Sequence, residues 1–74
     1  DWMEGKFTFN NASYRDVLDE VERQFDLKVK AEDIEGRTFT GTFYNRDILT
    51  ALRAVTEPMG LEYEETEPGV IVLR

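Results

Sequence analysis

The sequence contains neither cysteine nor histidine. Without thiols there is no disulfide framework and no thiolate nucleophile, which leaves cytoplasm and periplasm equally open. Without imidazole, the commonest general base and the commonest zinc ligand are gone. Ser13 has no histidine to activate it, so a Ser–His–Asp triad is excluded. No apolar run reaches the ~18 residues needed to span a bilayer. The five glycines fall in neither a Gly-x-Gly-x-x-Gly nor a Walker pattern. Positive charge is scarce as well: 9 basic residues stand against 16 acidic ones, a net charge of −7. That balance argues against nucleic acid, whose affinity comes mainly from neutralising phosphates, and against an anionic membrane surface. It fits a solvated acidic surface or a basic partner protein.

What is present is enough for one small domain. A chain of 74 residues buries only about 60% of its unfolded surface, which leaves little room for a deep cleft. Phe, Leu, Val and Ile are frequent and periodic, so the chain is a folding one. The aromatic residues lack interleaved basic side chains and read as core, not as a base-stacking platform.

The pattern is stated twice. Arg15-Asp16-Val17-Leu18 is echoed by Arg46-Asp47-Ile48-Leu49 at an offset of 31 residues, and Phe9-Asn10-Asn11 by Phe43-Tyr44-Asn45. Each copy follows a strand-like run and precedes a helical pattern and another short strand. In the first copy, Lys6 to Asn10 alternates as a strand. Asn11 is a helix-cap candidate, with Ser13 as a second start. Tyr14, Val17, Leu18, Val21 and Phe25 then form one helical stripe, with Arg15, Asp19 and Arg23 spaced for weak pairing on the other side. Leu27 to Ala31 is a strand, and Glu32 to Gly36 a polar turn with Ile34 tucked inward.

In the second copy, Thr38 to Tyr44 is a strand in which Gly41 signals a bulge or a close approach. Asn45 is expected to cap a helix running to about Pro58. Ile48, Leu49, Ala51, Leu52, Ala54 and Val55 make that helix apolar nearly all round, so it is expected at the centre of the domain. Leu61 to Glu65 and Val70 to Leu73, joined across Glu67-Pro68-Gly69, read as a hairpin. The fold class is α+β, in the order β-α-β-β-α-β-β, built from duplicated strand–helix–strand units.

The carboxylates fall in two groups. Asp16, Asp19, Glu20 and Glu22 sit on the first helix; with arginines interleaved and no calcium-loop pattern, they read as a solvated face more than a cation site. Glu62, Glu64, Glu65 and Glu67 lie on a strand and its turn. They read as charges that discourage edge-to-edge aggregation, with an electrostatic patch for a basic partner as the other reading. No catalytic, cofactor-binding or metal-binding residue is expected.

Taken as a series, the chain resembles the C-terminal domain of FecR-type anti-sigma factors of the Bacteroidetes kind. The residues that carry the resemblance are Trp2, Phe7-Thr8-Phe9-Asn10-Asn11, Tyr14-Arg15-Asp16-Val17-Leu18, Phe25-Asp26-Leu27-Lys28-Val29, Phe39-Thr40-Gly41-Thr42-Phe43, Ile48-Leu49-Thr50-Ala51-Leu52, Gly60-Leu61-Glu62-Tyr63 and Val70-Ile71-Val72-Leu73. More distantly it is similar to the short N-terminal domain of secretins and TonB-dependent receptors. The resemblance implies two helices sandwiched between two small sheets. It implies a periplasmic module of a single-pass inner-membrane protein that is not an enzyme. Such a module contacts the signalling domain of a TonB-dependent transducer and relays substrate occupancy to an extracytoplasmic-function (ECF) sigma factor, which the missing N-terminal region would bind. A structural, self-associating module is the alternative. Tyr14 stands where the family often has Leu, and its added hydroxyl implies a less buried helix start.

Residues 1–5 read as an entry segment from a preceding domain, with any membrane segment lying upstream, and residues 6–74 as the domain itself. Neither nucleic acid nor membrane is expected to touch this fragment. The partner-binding residues expected are Val70, Ile71, Val72 and Leu73, as an exposed edge open to strand addition, and Trp2, as a docking residue. On that expectation, a charge at Ile71 or Val72 weakens partner binding and leaves the fold intact.

Overall fold

Seven regular elements, set by the alternation of two periodicities along the chain, appear in the computed structural model, which describes residues 5–74. They are β1 (Lys6–Ser13), α1 (Tyr14–Phe25), β2 (Lys28–Ala31), β3 (Thr38–Tyr44), α2 (Ile48–Thr56, extended by a 3-10 turn Glu57–Met59), β4 (Tyr63–Glu67) and β5 (Val70–Leu73). The α+β class and the order β-α-β-β-α-β-β are as the sequence indicates.

The repeat has a spatial meaning. β1 and β3, the opening strands of the two units, pair antiparallel in a two-stranded sheet. β2 and β4, the closing strands, both enter a second sheet of order β2-β5-β4. Each unit thus sends one strand to each sheet, with its helix between. β5 belongs to neither repeat and joins them, parallel to β2 and antiparallel to β4.

The core lies where the helices meet the sheets. α1 contributes Tyr14, Val17, Leu18 and Val21, all fully buried, and α2 contributes Ala51, Leu52 and Val55. Phe39 and Phe43 enter from β3, Val29 from β2, and Ile71 and Leu73 from β5. Phe43 stacks on both Phe7 and Phe9, at ring-centre distances of 5.2 and 5.9 Å. Ile34 tucks in beneath the polar turn as expected.

Several local readings are corrected. α2 is not apolar all round in effect: Leu49 is 56% exposed, and Thr50 and Arg53 beside it face water. Both helices bury one stripe, and α2 is no more central than α1. Asn11 caps no helix. It sits in a register shift of β1 between Phe9 and Ala12, in the left-handed conformation with φ 57°, which Asn tolerates better than most residues. Its N–H donates to the Thr40 hydroxyl at 2.9 Å. Ser13 takes the cap position of α1. Asp47, not Asn45, precedes α2, and its carboxylate accepts the Thr50 hydroxyl at 2.7 Å. Asn45 instead joins α1 to the second unit through Gln24, at 3.0 Å. Gly41 does mark a close approach: a side chain there would press its Cβ to 2.8 Å from the Phe39 ring.

Candidate interaction surface

No cluster of carboxylates capable of holding a metal occurs among the described residues, and the acidic face of α1 is engaged locally, Arg15 with Asp19 and Arg23 with Glu20. Among the described residues, the one titrating group pushed far from its ordinary behaviour is Tyr14, and its role is structural. Its hydroxyl donates to the Val55 carbonyl at 2.6 Å. That carbonyl lies in the last turn of α2, where the helix supplies no internal donor. Neighbouring carbonyls there are met in the same way: Arg37 donates to Met59 at 2.9 Å and the Leu61 N–H to Thr56 at 3.1 Å. Tyr14 is therefore fully buried at the helix start, contrary to what the Tyr-for-Leu departure implied, because a carbonyl waits for the extra hydroxyl.

Burial pushes the Tyr14 phenol up to about 12, partly offset by the nearby Arg37 charge. Above pH ~10 the unfolded phenol ionises while the folded one stays neutral. Stability from this group is thus complete below pH ~10 and is lost as the pH rises through about 12. Tyr14→Phe is expected to cost about 1–3 kcal/mol at neutral pH by leaving the Val55 carbonyl unsatisfied. In urea titrations at pH 7 and pH 11, the gap between wild type and Tyr14→Phe should narrow at the higher pH.

The three-stranded sheet contains the residues expected to bind a partner, Val70 to Leu73. Val70–Leu73 was expected to be an edge, and the structure overturns this: β5 is the middle strand, with its main-chain groups committed to β2 on one side and β4 on the other. A strand apolar on both faces is the signature of a central strand, and that signal was available in Val70-Ile71-Val72-Leu73. Ile71 and Leu73 point into the core, while Val70 and Val72 are half-buried on the outer face. Trp2 lies outside the described residues.

The real edges of this sheet are β2 and β4, and they differ. Lys28 donates its N–H to Gly69, toward β5, at 2.8 Å, so the Val29 N–H points outward. There the Glu22 carboxylate of α1 accepts it at 2.7 Å. Sequence reasoning missed this contact, since a helix carboxylate seven positions away carries no local pattern for it. On the other side, β4 is exposed along most of its length. Glu62 and Arg74 exchange both main-chain bonds, so by antiparallel alternation Tyr63 and Glu65 turn their N–H groups away from β5.

The outer face of the sheet has its own order. Lys28 pairs with Val70 and Lys30 with Val72 on one side; Glu67 pairs with Val70 and Glu64 with Val72 on the other. Each row therefore reads lysine, valine, glutamate. Arg74, opposite Glu62, reaches Glu64 at 3.1 Å. Elsewhere among the described residues, Leu49 and Tyr44 are the large apolar side chains left exposed, with the Arg46 guanidinium 5.7 Å from the Tyr44 ring centre.

This architecture is similar to that of a candidate anti-sigma factor from Parabacteroides distasonis ATCC 8503, seen in crystal structures at 1.65 and 2.50 Å. The first superposes with a TM-score of 0.81 and 23% identity over 99% of this chain and 35% of its own length. The second gives 0.80 and 23% identity over 97% of this chain and 34% of its own. The chain thus spans about a third of the length of those proteins. Among curated proteins, none matches the sequence. The FecR C-terminal family matches residues 6–72, almost the whole of the described fold, and the chain belongs to that family.

Proposed function

We propose that this domain is a regulatory, non-enzymatic module acting on the periplasmic side of the inner membrane. It docks the signalling domain of a TonB-dependent outer-membrane transducer, and the resulting contact is relayed to an ECF sigma factor through parts of the protein outside this chain. The observation that carries the reading is membership of the FecR C-terminal family over residues 6–72. The absence of histidine and cysteine from the sequence and the shallow sheet surface favour a binding role over chemistry.

The physical means is strand addition, in which main-chain bonds supply affinity and alternating side chains supply register. Within the three-stranded sheet, with β5 enclosed and the outward N–H of Val29 on β2 already accepted by Glu22, β4 is the edge left to receive a partner. Its three glutamates, Glu64, Glu65 and Glu67, with Glu62 just before them, favour a partner strand bearing Lys or Arg. A pull-down against the signalling domain of the transducer encoded beside this chain should retain the wild-type domain. Glu65→Pro, which deletes an outward donor from the β4 edge, should lose at least about tenfold in affinity, roughly 1.4 kcal/mol, with its thermal melting largely unchanged. Absence of wild-type binding would overturn the transducer reading; full binding by Glu65→Pro would overturn only the β4 route.

A further inference from the structure

We infer that the outer face of the β2-β5-β4 sheet is a self-complementary docking surface whose occupant is a second copy of this chain. This inference is independent of the transducer reading. It rests on the rows Lys28–Val70–Glu67 and Lys30–Val72–Glu64, fixed by strand register on both sides of β5. The lysine column lies along one side of the face, the glutamate column along the other, and a half-buried valine column between.

That order selects one symmetry. Turning a second copy by a two-fold axis along β5 and laying its face on the first sets valine on valine in both rows. The same operation sets each lysine column over the other copy's glutamate column. A two-fold axis across the strands would set lysine on lysine and is disfavoured. The interface is isologous, the commonest arrangement for a pair of identical chains, and is compatible with the ~30° offset of aligned sheet packing.

Charge also singles out this face. The chain carries −7, so two copies repel on most approaches. Here Lys28, Lys30 and Arg74 balance Glu62, Glu64 and Glu67, and the Arg74–Glu64 pair at 3.1 Å is already formed. Two copies therefore meet across a locally neutral face. The area is modest. Three strands spaced ~4.8 Å apart give a face well short of the ~800 Å² per partner of a standard interface. The dimer is accordingly weak and concentration-dependent.

Sedimentation velocity and small-angle scattering across a concentration series test this on the 74-residue chain. The wild type should shift toward dimer as concentration rises. Lys28→Glu/Lys30→Glu and, separately, Glu64→Lys/Glu67→Lys should each raise the dimer Kd by roughly tenfold, since four rim contacts turn repulsive. An equimolar mixture of the two variants should form a heterodimer, because each glutamate-only face then meets a lysine-only face. The second variant separates this from general repulsion: lowering the net negative charge should promote non-specific association, whereas the face predicts its loss. A wild type that stays monomeric throughout the series, a Glu64→Lys/Glu67→Lys variant that associates more strongly than wild type, or a mixture that fails to pair would each overturn the proposal.

Discussion

Phe43→Ala should remove about 3–5 kcal/mol of stability. The side chain is 1% exposed and its ring is stacked between Phe7 and Phe9. Deleting it forfeits the transfer energy of a buried aromatic, two ring contacts, and the support of both strands of the β1–β3 sheet at their pairing point, Phe7 opposite Phe43. At 0.05–0.15 kcal/mol per residue, a domain of this length has a total stability of roughly 4–11 kcal/mol. At the low end of that range the variant sits near its unfolding midpoint in plain buffer, whereas Tyr14→Phe keeps a cooperative transition. A urea titration followed by far-UV circular dichroism should show a native baseline that is short or missing. A full native baseline with a midpoint near that of the wild type would show that the two-stranded sheet does not depend on this stack.

Ile71→Asp and Val72→Asp, one residue apart, should have opposite consequences. Ile71 is 3% exposed and faces the core, between Val29 and Glu65 in the register. A carboxylate there loses an apolar contact set and must be desolvated without a partner, a combination in the class that costs more than about 4 kcal/mol. The chain should not fold. Val72 lies on the outer face, where a carboxylate stays hydrated and sits beside Lys30. That variant should melt within a few degrees of the wild type while losing self-association. The expectation that a charge at either position would spare the fold therefore fails for Ile71. Differential scanning calorimetry on the pair decides it, since a cooperative transition in Ile71→Asp would mean that the β5 inner face is not core.

The period of the apolar residues carried most of the architecture. The stripe Tyr14, Val17, Leu18, Val21 became the buried face of α1, and the doubled Arg-Asp-(Val/Ile)-Leu run marked two structurally corresponding units. Turn chemistry at Glu67-Pro68-Gly69 gave the β4–β5 hairpin. What escaped was decided by tertiary position. An isolated helix with Leu49 in it looks apolar all round, but exposure depends on what stands opposite, and nothing covers Leu49 among the described residues. Asn11 and Asn45 have the chemistry of caps, yet the chain spends one on a strand irregularity and the other on a link to Gln24. The proposed interaction surface was half legible. Val70–Leu73 was read as an exposed edge because it is apolar on both faces, but chain order hid that it would be inserted between two earlier strands. The Lys–Val–Glu rows exist only after that insertion.

The place of β5 has a bearing on how the domain comes into being. β2 and β4 have no partner strand in their sheet until Val70–Leu73 arrives, and that segment is the last strand in chain order. Neither repeat can complete its half of the structure while the nascent chain is still short of these residues. The β2–β5 pairing also closes a loop of some forty residues, from Lys28 to Val70, an entropically late event. The two repeats therefore wait on one short segment. A chain lacking Val70–Leu73 would expose two unpaired strands at once.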